Sequence, residues 1–447
     1  MRIVIGGGGE ISLQFARELS ADYDVVVIED DPEVSRPFEV LDVQIARGKP
    51  THIATLQDLE LSARDKFVAC SDSDEQNILA CMAAKRLGEE GLFTFCFVSK
   101  EEYYKSFRSE TDDDIFDIDK VIWPQQRLAK EIALIAREPE AIDVEHFAFA
   151  GGQIDLMEYR IDEDSSLVGK RVTEIGLPKR VLAVALISDG RITIPRAITL
   201  FDPGDKVIFM GEHEPLTKFA RSVFQKGKTK VNTVTVIGGG TVGVMVAKQL
   251  QHDRGVELKL IEVDQERCGE IASELDCMVL NGNGSDLSLL REEEIAKSDV
   301  LVSVTSDDEK NLLGSLLAKQ MGIPKIITRV NNPTNISLFE GVGIDVAINA
   351  LSTAVDAVQT MLRAPKSSLH ATLEQGKAAV IEIEVPEDWP VGTKVRSLPQ
   401  VPGAIVGALL SKKRKIVPHG DDLLEPGDHL LVVATKDAKK TVEKYFS

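Results

Sequence analysis

Through the second half of the chain, short apolar runs alternate with longer stretches of helical character. The runs predict strands over Thr233–Ile237, Glu257–Glu262, Met278–Leu280, Val300–Thr305 and Lys325–Val330, with helices beginning near Thr241, Gln265, Leu287 and Asp308. This alternation is the pattern of a parallel sheet built from βαβ units. A helical stretch closes the portion at Leu351–Arg363, as Gln125–Arg137 does in the first half. The pattern then changes to an alternating strand (Gln153–Ile161; Ala379–Val385), a hairpin-like pair and a final strand after Gly-Asp. Ser188-Asp189-Gly190 is a good hairpin turn, and its counterpart is the basic Ser411-Lys412-Lys413-Arg414-Lys415.

The two halves are copies. Gly7 and Gly9 align with Gly238 and Gly240 within IGGGGEI and IGGGTV. Gly48 matches Gly282, Asp65 matches Asp299, and Asp74, Glu75 and Asn77 match Asp308, Glu309 and Asn311, all 234 positions apart. Farther on the spacing becomes 223, pairing Gly169 with Gly392, Pro195 with Pro418 and Asp205 with Asp428. The joint falls in the basic stretch 225–230. The expected architecture is α/β, with two Rossmann-type doubly wound parallel-sheet lobes, each followed by a small α+β lobe. The expected domains are 1–137, 138–225, 231–363 and 364–447.

The second glycine loop is the sharpest chemical motif. Gly238-Gly239-Gly240-Thr241-Val242-Gly243 follows a strand and opens a helix, the context that gives G-x-G-x-x-G its meaning. The first glycine permits the turn, the second lets backbone approach a pyrophosphate, and the helix N-terminus receives the charge. Glu262 ends the next strand, where an acid can bind both ribose hydroxyls and repel a 2′-phosphate. This favours NAD(H) or an adenine nucleotide over NADP(H). Asn283 could bond an adenine edge, Thr305 faces the phosphates, and Arg329 could pair with a phosphate or form an interface ion pair. The bland reading is a glycine turn kept only for packing.

The first loop is a poorer copy. Gly7, Gly9, Glu10, Ile11 and Glu29 occupy the corresponding positions, but Ser12 replaces the third glycine and should crowd helix against strand. Lys49 stands in place of Asn283, where it could favour a phosphate, and nothing like Arg329 appears in Phe95–Ser99.

Charge narrows the partners. With 52 Lys and Arg against 72 acids, the net charge of −20 opposes binding to nucleic acid and to anionic lipid. No apolar run nears the ~18–20 residues that span a bilayer, so no direct membrane insertion is expected. The opening residues run straight into a strand without a cleavable leader, which predicts an intact cytoplasmic chain. Five cysteines without C-x-x-C spacing read as reduced thiols, and seven histidines without zinc spacing predict no metal.

With the duplicated glycine loop, the acid after strand two, the D-E-x-N after strand four and terminal lobes marked by Gly169-Lys170, Pro203-Gly204-Asp205 and Pro426-Gly427-Asp428, the chain resembles the TrkA family. These are the tandem RCK (KTN) regulatory subunits of Trk-type potassium uptake systems. The resemblance covers the whole chain. It implies a homo-oligomeric ring, peripheral to the inner membrane face through a potassium channel or transporter subunit, which NAD(H), ATP or ADP in the Rossmann lobes reshapes to gate transport. It also implies nucleotide contacts from the glycine loops, from Glu262 and Glu29, and from the third-strand loop. The family's usual Gly-Asp there is Gly282-Asn283 and Gly48-Lys49 in this chain.

The rival is an NAD-dependent oxidoreductase. Hydride transfer needs an acid or base near the nicotinamide, yet the small lobes are short of such groups. Only His146 and His370 roughly repeat, and a polar residue at a domain joint explains them more simply. The sequence therefore reads as a non-enzyme with no catalytic residue. A free-standing nucleotide sensor with another partner is a third possibility.

Overall fold

The computed structural model describes residues 2–20, 23–107, 116–138, 140–146, 154–224, 231–253, 255–362, 367–373, 377–390, 392–411 and 415–446. The basic joint 225–230 and the middle of the second hairpin turn, 412–414, lie outside the described residues, as do the side chains of His146 and His370.

Each half opens with a six-stranded parallel sheet. In the first the strands are Arg2–Gly6, Asp24–Ile28, Gln44–Ala46, Lys66–Ala69, Phe93–Phe97 and Lys120–Ile122, lying in the order three-two-one-four-five-six. In the second they are Thr233–Ile237, Glu257–Glu262, Met278–Asn281, Val300–Ser303, Lys325–Arg329 and Val346–Ile348, in the same order. This doubly wound order puts the crevice at the carboxyl ends of strands one and four. Val25, Val26, Val27 and Ile28 are all buried, the unbroken apolar run of a strand covered on both faces. The sixth strands, Lys120–Ile122 and Val346–Ile348, were not expected.

The chain separates into two compact units. One comprises Met1–Ala129, Val330–Thr334 and Asn349–Leu362, and the other comprises Lys130–Arg329, Asn335–Ile348 and Arg363–Ser447. The helix Ala350–Leu362, read above as the end of the second Rossmann lobe, therefore packs in the first unit. There Ala354, Val355, Val358 and Leu362 share a core with Ile3, Phe15, Leu19, Val27 and Phe97. Gln14 Nε2 donates to Ser352 Oγ at 3.0 Å. Asn349 starts this helix, accepting from the Leu351 and Ser352 amides while donating to Val330 O and Asn331 O.

The second unit holds both small lobes. The first is an antiparallel sheet in the order Arg191–Thr193, Val181–Ser188, Lys206–Glu212, Ile154–Arg160, Asp143–His146. The second runs Ser367–Leu373, Ala378–Glu384, His429–Thr435, Ala404–Leu410, Lys415–Ile416. The expected turn is present: Ser188 pairs with Arg191 around Asp189 and Gly190, both at positive φ. Ile154, Leu156, Ile208 and Met210 of one sheet share a core with Val380, Ala408, Leu431 and Val433 of the other. The leading strands Asp143–His146 and Ser367–Leu373 add an unexpected edge to each sheet.

Candidate functional site

In the second Rossmann lobe the loop after Thr233–Ile237 is built for close approach. Gly238 has φ +107°, and a Cβ there would lie 3.1 Å from Thr305 N, so only glycine makes the turn. A Cβ on Gly243 would fall 1.9 Å from Gly238 O, so the third glycine lets the helix Thr241–Leu250 meet the loop. Gly240 differs: it has ordinary φ, and a Cβ would meet nothing within 4 Å. Protein packing gives no reason for glycine there, and the open space is where backbone can approach a ligand. Gly240 also N-caps the helix with no side-chain cap, leaving the first-turn amides at Thr241 and Val242 for an anion.

Polar groups converge on this loop. The Glu262 carboxylate accepts from Gly239 N at 2.6 Å and from Asp264 N at 2.9 Å. Thr305 donates from N and Oγ1 to Asn311 Oδ1, at 2.8 and 2.7 Å. Asn311 Nδ2 in turn donates to Thr305 O and Arg329 O. The asparagine of D-E-x-N thus ties the ends of strands four and five together. Sequence reasoning used that residue only as a repeat landmark. Asn283 is exposed, and its side-chain oxygen accepts from Ser285 N at 2.9 Å. Arg329 closes the fifth strand with Nε buried and without a hydrogen-bond partner. Burial lowers its pKa against the pull of Asp308.

Arg267 was also missed. Its Nε donates to Gly239 O at 3.0 Å and its guanidinium pairs with Glu270, putting a cation on the loop beside Glu262. An Arg five residues after the strand-two acid was the available signal.

The first loop has nearly the same backbone. Gly7 has φ +109°, and Gly9 caps its helix, Glu10–Leu19, as Gly240 does. The expected crowding at Ser12 does not displace it: Ser12 is fully buried, with Oγ 3.2 Å from Cys70 Sγ. The surroundings differ. A Cβ on Gly9 would sit 3.2 Å from Asp72 Oδ1, and Glu10 adds a carboxylate in the first helical turn. The second copy has Ser306 and Thr241 at those positions. Asp72 was missed although the aligned Ser306 offered the comparison. Ile11 is half-buried beside this core. Glu29 accepts from the Asp30 and Asp31 amides, and Lys49 lies 3.9 Å from Asp30. Where the second lobe has Arg329 near Asp308, the Asp74 carboxylate accepts from Ser99 and Lys100.

Among the described residues no group of three or more His, Cys, Asp or Glu side chains could hold a metal ion, and no helix is long and apolar enough to cross a membrane. All five cysteines are free thiols.

Two Rossmann sheets, each with a glycine loop and a small antiparallel lobe, define a tandem repeat of one two-lobe unit. The TrkA-N domain model matches residues 3–124 and 234–350, and the TrkA-C domain model matches 156–223 and 380–447. The chain belongs to the TrkA family. It is 35% identical over 456 residues to the Trk system potassium uptake protein TrkA homolog 2 of Methanosarcina mazei, covering 100% of both chains. It is 34% identical over 447 residues to the TrkA homolog of Archaeoglobus fulgidus, again covering 100% of each. Among solved structures it resembles the GsuK channel bound to NAD, with TM-score 0.62 and 18% identity, covering 100% of this chain and 78% of that one.

Proposed function

We propose that this chain is a cytoplasmic regulatory subunit that binds an adenine nucleotide and gates a membrane potassium channel or transporter. NAD(H) is the favoured ligand, with ATP or ADP as alternatives, and the second Rossmann lobe is the principal site. Gly238–Gly243 would hold the phosphates, Glu262 the ribose and Asn283 the adenine edge, with Thr305 and Arg329 across the crevice. The observation that carries this reading is the open space at Gly240, joined to an uncapped helix N-terminus and the unpartnered Arg329 Nε. The first loop, with Gly7, Gly9, Glu10, Ile11 and Glu29, is the weaker site because Asp72 and Glu10 oppose an anion.

The membrane partner follows from kinship with Trk potassium uptake proteins. Homo-oligomerisation into a ring is supported by exposed apolar residues at matching helix positions, Leu79 at 53% and Leu313 at 49% exposure. Attachment to the membrane's inner face would go through the transporter. Nucleotide would act by differential affinity for two ring shapes, worth ~1–3 kcal/mol per site.

The test is a thermal shift with NADH, NAD+, ATP and ADP, followed by use of the protein as bait on detergent-solubilised membranes. A ligand at a hundredfold excess over Kd stabilises by ~2.7 kcal/mol. A shift with at least one nucleotide and capture of a potassium transporter are expected. No shift with any of the four defeats the nucleotide reading, and normal potassium uptake in a deletion strain defeats the gating one.

A further inference from the structure

The connector helix Pro124–Arg137, which leads into the first small lobe, ends in a double clamp. Lys325 is 3% exposed, and its Nζ lies 2.8, 2.5 and 2.6 Å from the carbonyl oxygens of Ile135, Glu138 and Ala141. Ile135 lies in the last turn of the helix and Glu138 and Ala141 follow it; the Ile135 and Glu138 oxygens also accept from the Glu138 and Ala141 amides. An ammonium brings three donors and a positive charge to the negative end of the helix dipole. Asp345, Glu138 and Glu140 supply the facing negative charge. From the same turn Arg137 reaches outward, with Nε 2.7 Å from Asp253 Oδ2 and Nη2 2.9 Å from Gln249 O.

Both clamp partners carry the candidate site at their far ends. The strand Lys325–Arg329 starts at the clamp and finishes at Arg329, whose Nε has no hydrogen-bond partner, ~13 Å away at ~3.3 Å per residue. The helix Thr241–Leu250 starts at the glycine loop and ends beside Gln249, ~15 Å along. Beyond the clamp, Ile142 N donates to Glu158 O, and Asp143–His146 pairs with Ile154–Arg160 to open the first small lobe. The first sheet has Phe93 where the second has Lys325. Val300 pairs with Lys325 in the second sheet, whereas the matching Lys66 pairs with Phe93 in the first.

We propose that Lys325 and Arg137 are positioning residues that couple nucleotide at the second Rossmann lobe to the entry strand of the first small lobe. This coupling rests on the nucleotide reading above. A group that shifts Arg329 or the glycine loop by a fraction of an ångström moves a strand and a helix as stiff rods, and both rods end on one helical turn. Neither clamp residue touches the proposed ligand, so affinity and coupling are separable.

The experiment is hydrogen–deuterium exchange of the 140–146 amides in the full-length protein, with and without NADH or ADP, beside calorimetric affinities. The unaltered protein should bind nucleotide and change its exchange there about fivefold or more. Lys325→Met should still bind and lose that change. Arg137→Gln, whose side chain is partly exposed, should weaken it and serves if Lys325→Met does not fold. A cap with only a structural role would raise ligand-free exchange and keep the nucleotide-dependent difference, which overturns the proposal. Binding by the unaltered protein without any change at 140–146 overturns the coupling alone. No binding at all overturns the nucleotide reading and the coupling with it.

Discussion

Gly7 and Gly238 have φ of 109° and 107°, and the caps Gly9 and Gly240 agree within a degree, at φ −69° and −70° with ψ −175° in both. Two loops 231 positions apart therefore present the same row of amides. Around the first stand the carboxylates of Asp72 and Glu10, and around the second the hydroxyls of Ser306 and Thr241. Two unit charges 4 Å apart interact by about 4 kcal/mol at a surface-like dielectric, which exceeds the ~0.3–2 kcal/mol that a helix N-terminus can offer an anion. Duplication preserved the scaffold, and under the proposed function two side chains set the charge that a phosphate would meet at each copy.

Exchanging those side chains is the strongest test of the comparison. Ser306→Asp, which copies the first loop's carboxylate into the second, should lower nucleotide affinity at least tenfold, ~1.4 kcal/mol. Asp72→Ser with Glu10→Thr should do the reverse and raise calorimetric stoichiometry toward two per chain. If Ser306→Asp binds as well as the unaltered protein, charge is not what separates the copies.

A smaller effect is expected at the middle glycine. Gly240→Ala puts a methyl into open space, so the ligand-free melting temperature should not move while affinity falls about fivefold, ~1 kcal/mol. In Gly9→Ala the methyl would press on Asp72 at 3.2 Å, and total nucleotide binding should barely change. Equal losses from the two substitutions would show both loops to be in use.

Much of this arrangement was legible in the sequence. The strands Thr233–Ile237 and Glu257–Glu262 and the helix starts at Thr241, Gln265, Leu287 and Asp308 stand where hydrophobic period and capping put them. Local signals could not show which unit a helix joins. Ala350–Leu362 was expected as a helical stretch, yet its apolar face lies in the first unit's core, a matter of long-range packing. Ser12 was judged by its place in the motif, although its fit depends on Cys70, 58 residues away. Spacing and the aligned copy offered a signal for Arg267 and Asp72, whereas the role of Lys325 depends on carbonyls more than 180 positions away, where no spacing rule reaches.

The finest contrast lies in the small lobes. In the first, fully buried Asp155 lies 2.5 Å from His213 Nδ1, and in the second the corresponding positions are Ala379 and Lys436. The hydrogen bond to Asp155 raises the pKa of His213, with burial opposing and the charges of Asp155 and Glu138 assisting. A raised histidine pKa contributes stability that is fully present below the unfolded value of ~6.5 and is lost as pH rises through the folded value. The first small lobe should therefore lose this contribution as pH climbs above ~6.5; the second holds a different pair, with His429 Nδ1 2.7 Å from Glu382 Oε1. Whole-chain melting would blur this, because a chain of several domains need not unfold in one step. Native-state hydrogen exchange of Ile154–Arg160 reads it directly. Protection there should decline between about pH 6 and pH 8 in the unaltered protein and not in His213→Gln. Parallel pH profiles in the unaltered protein and His213→Gln would show that the pair adds no pH-dependent stability.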